Sequence, residues 1–589
     1  MKGNRLVIGL DYGTTYTGIS FCETSDMGAL GKDIEVIKDW PMKNTGIGTK
    51  EKVPSEIGML DRTQWGALIP PEAQRHMWTK LDLDCPQGGE AAKILQELSQ
   101  AERKPSEDPV DIIADYLTHV KNHLVKNLDT QYGKELWRTL PITLVVTVPA
   151  VWSDAAKDST LKAVRAAGFD TTGFPLLKRT LLTTEPEAAA IYTIQSLRGS
   201  VQDEQFAVGD GFILCDMGGG TVDLISYRVA SLNPTTLEEA TIGSGDQCGG
   251  SFVERKFIQV LERRLGTEDF VKIAGARSDA LPRTCLTPKM SKLVLQFILE
   301  GKASFTGSEK KHIRLPWPFS GIEDDHDRGI HDGELVLTKE DLQEMFEFCL
   351  NRSYELIQEQ LVQARRTGKV QIKYLFMVGG FAESPYMYEK IKSFAEAHGI
   401  QAIRPAFAWS AVVRGAAVKG LDGDGRVPIQ NRKCRRNYGT DCNTTFEAGK
   451  HRESDSYVST YTGVKRAINQ MTWLLTKGQD LSTSQLSHAN HTFHQNFWVG
   501  DSRMTSIGLL ASEGDRAAKR STDKSIYRLA TLEVDLSGVP QDEFEVLRSP
   551  SGHTYHRIIY TVDISIQSSL DFSVSIGGKK YGRITARYA

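Results

Sequence analysis

Residues 212–226 read FILCDMGGGTVDLIS, and this stretch decides how the chain is organised. An apolar run, Phe212 to Cys215, ends at Asp216; Gly218, Gly219 and Gly220 follow; then Thr221 opens a second apolar run carrying Asp223. The pattern predicts strand, tight turn, strand. Three consecutive glycines weaken such an element, because glycine loses more backbone entropy on folding than any other residue. A ligand approaching the bare backbone explains them better than a plain turn. The same plan stands at residues 6–20, LVIGLDYGTTYTGIS, where Asp11 precedes Asp216 by 205 residues and Gly13, Thr14 and Thr15 form the turn. That separation is far too long for a solenoid repeat and points to two large lobes of one plan. Successive amides in such a turn suit a phosphate, and an aspartate at the strand end can hold Mg²⁺ through water. Neither turn is a Walker A loop or a dinucleotide-binding fingerprint. A polar hairpin is the bland alternative for the first turn; two matched turns favour phosphate.

The chain has 589 residues, enough for several domains. Its net charge of −3 removes the case for generic nucleic-acid binding. Eight cysteines without a C-x-x-C pair exclude a disulfide scaffold and fit a reducing compartment. The apolar run Leu6–Leu10 is too short for a signal peptide, and no run approaches the ~20 apolar residues of a spanning helix. The expectation is a soluble protein of the cytoplasm or nucleus, with no membrane partner.

Working outward, ITLVVTVPAVW (142–152) reads as a buried strand, and Ser153 caps a helix running to about Ala167 before Gly168. A second helix begins after Thr338, with Asp341 as capping-box partner. Strands alternating with helices to residue 420 indicate an α/β architecture. Residues 421–436 are polar and locally basic and read as a linker; RKCRR (432–436) within them is a solvated run or, less favoured, a nuclear-import patch. Beyond it, Val562, Ile564 and Ile566, then Leu570, Phe572, Val574 and Ile576, alternate with polar residues before Gly577-Gly578, as in an antiparallel β domain over 437–589. His491 and His494 read as exposed strand histidines, not metal ligands.

With these motifs assembled, the chain resembles the actin-like ATPase superfamily and, within it, the heat-shock protein 70 family. IGLDYGTTYTGISF (8–21) and CDMGGGTVDLISY (215–227) resemble its two phosphate motifs, VVTVPAVWSDAAKDSTLKAVRAAGF (145–169) its connecting segment and TTEPEAAAIY (183–192) its hinge motif. GSGDQCGGSFVERKF (243–257) and FMVGGFAESPYM (376–387) resemble further nucleotide-binding segments, and the order is the family's own. The wording is nearest a divergent branch. The resemblance implies a two-lobed fold of ribonuclease H-like repeats over 1–420 followed by a smaller all-β, sandwich-type substrate domain. It implies Asp11 and Asp216 on the Mg²⁺ hydration shell, phosphate amides around Gly13, Thr14, Thr15, Tyr16 and Gly218 to Gly220, and Thr221 near the γ-phosphate. Glu185 and Asp223 would position water, while Gly249, Gly250, Gly379 and Gly380 would admit phosphates and nucleoside. Lys80 is the candidate for the family's catalytic lysine, the alternative being a surface lysine. Lys302 is the counterpart of an adenosine contact. Glu383 stands where the family has an arginine beside adenine, and Trp409 where it has an aspartate.

The implied activity is ATP hydrolysis with ATP/ADP and Mg²⁺, coupled to binding of a polypeptide client, with exchange factors or co-chaperones as further partners. A sensor or scaffold with little turnover is the first alternative, and a small-molecule kinase of the same superfamily the second. The residues after 574 leave no length for the family's helical lid, so a lidless branch is expected.

Overall fold

The strands Leu6–Tyr12, Ile142–Val148 and Asp210–Met217 are buried at every position, so both faces of each are covered, as in a sheet with helices on either side. The computed structural model describes residues 4–24, 34–42, 50–70, 73–84, 107–150, 152–197, 207–232, 235–281, 286–321, 323–421, 429–483, 489–566, 570–583 and 587–588. It divides into two units, Met1–Pro428 and Ile429–Ala589.

The first unit holds two main sheets of one design. In the first, Leu6–Tyr12 lies between its antiparallel partner Tyr16–Glu23 and the parallel strand Ile142–Val148, which in turn pairs parallel with Leu177–Thr184. Glu35–Val36 and Val53–Pro54 both pair with Tyr16–Glu23. In the second, Asp210–Met217 lies between antiparallel Val222–Leu232 and parallel Gln371–Val378, which pairs with Gln401–Ile403. Thr235–Glu239 and Ser244–Asp246 both pair with Val222–Leu232. Strand order and sense match between the two, so the internal echo at Asp11 and Asp216 is an echo of whole lobes.

Two buried helices lie between the lobes. Glu185–Leu197 and Ala411–Leu421 pack on each other and on the sheet strands. Their apolar, small-residue faces follow from burial on all sides. Gly415 sets their approach: a Cβ there would lie 1.8 Å from the Ala188 carbonyl oxygen. Ion pairs fix the rest, with Lys419 3.3 Å from Glu187 and Arg414 2.8 Å from Glu51.

Local signals are met where the sequence places them. Ser153 caps the helix Asp154–Ala166 through the amide of Ala156. Thr338 and Asp341 form a reciprocal capping box on Lys339–Thr367, which ends at Gly368 with φ +62°.

The second unit is a β-sandwich. One antiparallel sheet runs Ser456–Val458, Lys465–Leu475, Asn437–Thr445, Met504–Ser512, Ile526–Asp535, Arg587–Tyr588. The other runs Ala489–Trp498, Thr554–Ile566, Leu570–Ile576, Lys579–Arg583. Leu509, Leu532 and Val534 of the first meet Ile558, Val562, Ile564 and Val574 of the second in one core, the arrangement of two facing sheets.

Two readings need correction. Residues 429–433, taken as linker, form the strand Ile429–Lys433 paired with Asp480–Ser482. The basic run is not a solvated one either: Cys434 is buried and Lys433 lies 2.5 Å from Asp480, a partner 47 residues away. Residues 422–428 of the linker, with Cys85 and Cys285, fall outside the described residues; the six described cysteines are free thiols. No described helix is long and apolar enough to cross a membrane.

Gly415→Ala is expected to destabilise the protein by about 2–3 kcal/mol, since neither helix backbone can yield without repacking. Gly321→Ala, where nothing lies within 4 Å of the added carbon, is expected to stay within about 0.5 kcal/mol. Denaturant unfolding compares the two; equal stability would show that the helices can separate freely.

Candidate functional site

The register of the first sheet lines up one row of side chains. Asp11 pairs with Gly18; Leu10 opposite Val146 and Thr147 opposite Thr183 extend the row on the other side. The Thr147 hydroxyl donates to Asp11 Oδ1 at 2.8 Å. Thr17 pairs with Val53, so continuing the register sets Lys52 beside Gly18, and its ammonium donates to Asp11 Oδ2 at 2.7 Å. In the second sheet Asp216 pairs directly with Asp223. Two carboxylates opposite each other across strands repel, and neither is exposed.

Between these rows lie Lys80 and Glu185. Lys80 sits in a 3₁₀ turn, Thr79–Leu83, and Glu185 opens the helix Glu185–Leu197. Lys80 Nζ is 2.5 Å from Glu185 Oε1 and 5.3 Å from the Trp152 ring, with its side chain 3% exposed. The surface-lysine alternative is therefore wrong for Lys80. The amide of Ala150 donates to Asp223 Oδ1 at 3.1 Å, joining the first lobe to the second at the same place.

Four buried carboxylates thus share two ammonium groups. Burial pushes Glu185 up from its ordinary 4.5 to about 7, against the pull of Lys80 and aided by Asp11 and Asp223. Burial also raises Asp216 well above its usual range, reinforced by Glu185, Asp223 and Asp11. Asp11 moves the other way. Burial opposes its charge, but Lys52 and Lys80, with the hydrogen bonds from Lys52 and Thr147, hold it below the usual value.

The glycine turn is built around contacts that only glycine permits. A Cβ on Gly219 would lie 2.2 Å from the Thr15 hydroxyl, and one on Gly220 2.4 Å from the Thr14 hydroxyl, so the two turns meet face to face. Among the described residues, the amides of Thr14, Thr15, Gly219 and Gly220 pair with no acceptor. Gly249 and Gly250 lie directly against the turn. Their N–H groups donate to Gly220 and Gly218 at 3.1 Å, and Ser251 donates to Gly219 at 2.7 Å. The first amides of the helix Gly250–Leu265 are thereby satisfied by the turn, and the turn is braced from behind. Gly379, at φ +88°, lets the backbone pass Asp216: a Cβ there would lie 2.5 Å from Oδ1. Thr221 is buried at the turn's end, and a Cβ on Gly13 would lie 2.3 Å from the Tyr16 carbonyl oxygen.

The remaining expected residues lie along a second group. Lys302 ends a π-helical turn, Phe297–Lys302, and donates to Glu254 Oε1 and to the Gly250 carbonyl, both at 2.8 Å. Trp409 meets Tyr16 edge to face at 5.6 Å and lies over Gly380. Glu383 does not join either group: its side chain is 47% exposed and 3.7 Å from Arg404.

The residues suit a hydrated divalent cation with a polyphosphate. The oxygen-only donors match Mg²⁺, and a cation among these carboxyls would favour the charged forms that burial disfavours at Glu185 and Asp216. Among the described residues no three metal-ligating side chains converge closely enough to cage an ion directly.

Lys52, Thr147 and Glu254 are absent from the reading of the sequence. Lys52 belongs to no motif; only the length of the lysine opposite a glycine in register would have exposed it.

Matched lobes with paired glycine and threonine turns define the actin-like ATPase fold. The family model described as Hsp70 protein matches residues 93–428, and the chain belongs to that family, whose members are ATPases. It is similar to human heat shock 70 kDa protein 12A, 22% identical with 90% of this chain and 85% of that one aligned. Human heat shock 70 kDa protein 12B is 23% identical over 76% of this chain and 72% of its own. Chaperone protein DnaK of Mycoplasmopsis synoviae (strain 53) is 22% identical over 71% and 58%.

A carboxyl raised by folding binds a proton that the unfolded chain has released, so its stabilising contribution is complete below the ordinary value and fades as pH rises through the folded one. For Glu185 that window runs from 4.5 to about 7, with Asp216 acting in the same sense. Asp11, lowered by folding, acts only below its ordinary range. The ligand-free protein is therefore expected to melt lower at pH 7.5 than at pH 5.5, and Glu185→Gln to shrink that difference by a few degrees. An identical pH dependence in the variant would show that Glu185 titrates normally.

Proposed function

We propose that the first unit binds Mg-ATP between its matched turns and hydrolyses it, and that nucleotide state governs polypeptide binding by the β-sandwich unit. The observation that carries this reading is the buried Lys80–Glu185 pair set beside Asp11, Asp216 and Asp223. The unpaired amides of Thr14, Thr15, Gly219 and Gly220 are donors for phosphate oxygens. A magnesium ion bound beside Asp11 and Asp216 supplies charge neutralisation on those oxygens. Glu185, with a carboxyl near neutral pH, is suited to take a proton from water as attack begins. Lys80 fixes the rotamer of Glu185 and supplies a cation where negative charge gathers. Exclusion of bulk water by the buried setting strengthens each of these interactions.

A second reading has its own support. Trp409 lies over Gly380 and Glu383 points into solvent, so the nucleoside side departs from the family pattern while the phosphate side keeps it. A nucleotide-sensing scaffold with little turnover fits that asymmetry. The client, any exchange factor and the cytoplasmic or nuclear setting belong to the proposal.

Mg-ATP is expected to raise the melting temperature of the full chain. In single-turnover hydrolysis, Lys80→Met and Glu185→Gln should each slow the step by roughly 100-fold, as removing a positioned charge or proton acceptor does. No nucleotide-dependent thermal shift would sink the reading as a whole. A thermal shift with no hydrolysis above background would decide for the sensor.

A further inference from the structure

Lysine 52 reaches the carboxylate cluster by a route that the fold constructs for it. Its strand neighbour Val53 pairs with Thr17 and Pro54 with Tyr16, which sets Lys52 opposite Gly18, and Gly18 is opposite Asp11. Lys52 and Asp11 are thus two strands apart on one face, about 9–10 Å by strand spacing, with a residue lacking a side chain between them. The lysine stem lies over that gap: a Cβ at Gly18 would be 3.3 Å from Lys52 Cγ and 3.5 Å from Cε. The matching position in the second lobe, 205 residues on, is Asp223. The first lobe therefore carries an imported cation at the point where the second carries an acid.

The segment holding Lys52 is anchored on both sides. Glu51 accepts from Arg414 at 2.8 Å. Ser55 bonds the Thr17 hydroxyl at 2.8 Å and donates its amide to the Thr15 carbonyl at 2.9 Å. The second of these bonds ties the segment to the phosphate turn itself. The ammonium is consequently held, with a side chain 8% exposed. Among the described residues its hydrogen-bond partner is Asp11, whereas an ammonium has three donors. The Lys52 charge also acts on Asp216 across the cluster, so it lies where both phosphate strands end. A buried ion pair serving stability alone is commonly replaceable by apolar packing. Here the fold keeps a glycine in a strand where the lysine stem passes, and among the described residues Asp11 is the hydrogen-bond partner of the buried ammonium.

We propose that Lys52 is a polyphosphate-binding residue: delivered across Gly18 and steadied by Asp11, its ammonium holds nucleotide phosphate oxygens and makes nucleotide binding less dependent on a divalent metal. The assignment rests on the Mg-ATP reading above and adds to it a second, built-in cation. Asp11 then has a double duty, anchoring Lys52 through Oδ2 while Thr147 occupies Oδ1.

Calorimetric titration of the full chain with adenosine, AMP, ADP and ATP, each in Mg²⁺ and in EDTA, tests this. Wild-type ATP affinity is expected to fall no more than about tenfold in EDTA. Lys52→Gln should weaken ATP by roughly tenfold in Mg²⁺ and more in EDTA, the scale of a lost charge-assisted hydrogen bond. ADP should lose less, and adenosine should stay within about twofold. Equal weakening of all four ligands would assign Lys52 a purely structural role and overturn the proposal, as would unchanged ATP binding. Should the variant not fold, the wild-type arm still decides: loss of all ATP binding in EDTA overturns the built-in cation. Failure of wild type to bind ATP under either condition would instead remove the Mg-ATP reading on which the assignment rests.

Discussion

Repulsion among Asp11, Glu185, Asp216 and Asp223 is the constraint around which the first unit is arranged. Asp216 and Asp223 face each other across a hairpin, both buried, and Glu185 and Asp11 add to the same field. Two lysines temper it without cancelling it. Each lysine must then be brought in from a distant segment: Lys52 over Gly18, and Lys80 from the turn Thr79–Leu83, whose own start is tied by the Tyr12–Thr79 hydroxyl contact at 2.9 Å. Both segments also place apolar neighbours in the cores, Val53 in the first lobe's and Trp78 and Leu81 in the second's, so burial and charge together hold them on the cluster. The residual negative excess is what a metal and its phosphates can share.

The glycines answer a geometric demand of the same site. Gly219 and Gly220 admit the Thr15 and Thr14 side chains, and the three carbonyls of the turn are taken by the first amides of the helix Gly250–Leu265. With its carbonyls held from behind, the turn keeps one bond within itself, from the Gly218 amide to the Thr221 carbonyl at 2.9 Å, and among the described residues the amides of Gly219 and Gly220 have no acceptor. A helix start usually offers its own amides to an anion. Here they are consumed in orienting a second set of amides, which is a stiffer arrangement than a free helix end.

Sequence pattern made the lobes and their matched turns legible because their information is local: apolar runs, a glycine triplet and acids at strand ends. Ser153 and the Thr338–Asp341 box were legible for the same reason, since a cap is decided within three residues. What escaped depends on contacts far along the chain. Lys52 acquires its meaning from Asp11 and Gly18, Lys433 from Asp480, and neither spacing follows any period. Burial of Lys80 and Glu185 was equally hidden, because each looks like a surface residue until the other is brought within 2.5 Å. The bonds by which Gly249 and Gly250 close a helix onto the turn were hidden as well, since about 30 residues separate the partners.

The adjacency of Glu51 and Lys52 links the two halves of the site. Both residues lie in the bend ahead of Val53–Pro54, where Glu51 accepts from Arg414 and Lys52 donates to Asp11. Arg414 stacks on Phe407 at 4.6 Å and bonds Ser410, the residues flanking Trp409, which in turn rests on Tyr16 and Gly380. Contacts thus run without a break from Trp409 through the start of the helix Ala411–Leu421 to Glu51 and the neighbouring Lys52. Trp409 and Lys52, far apart in sequence, are therefore packed into one continuous network that Arg414 holds together.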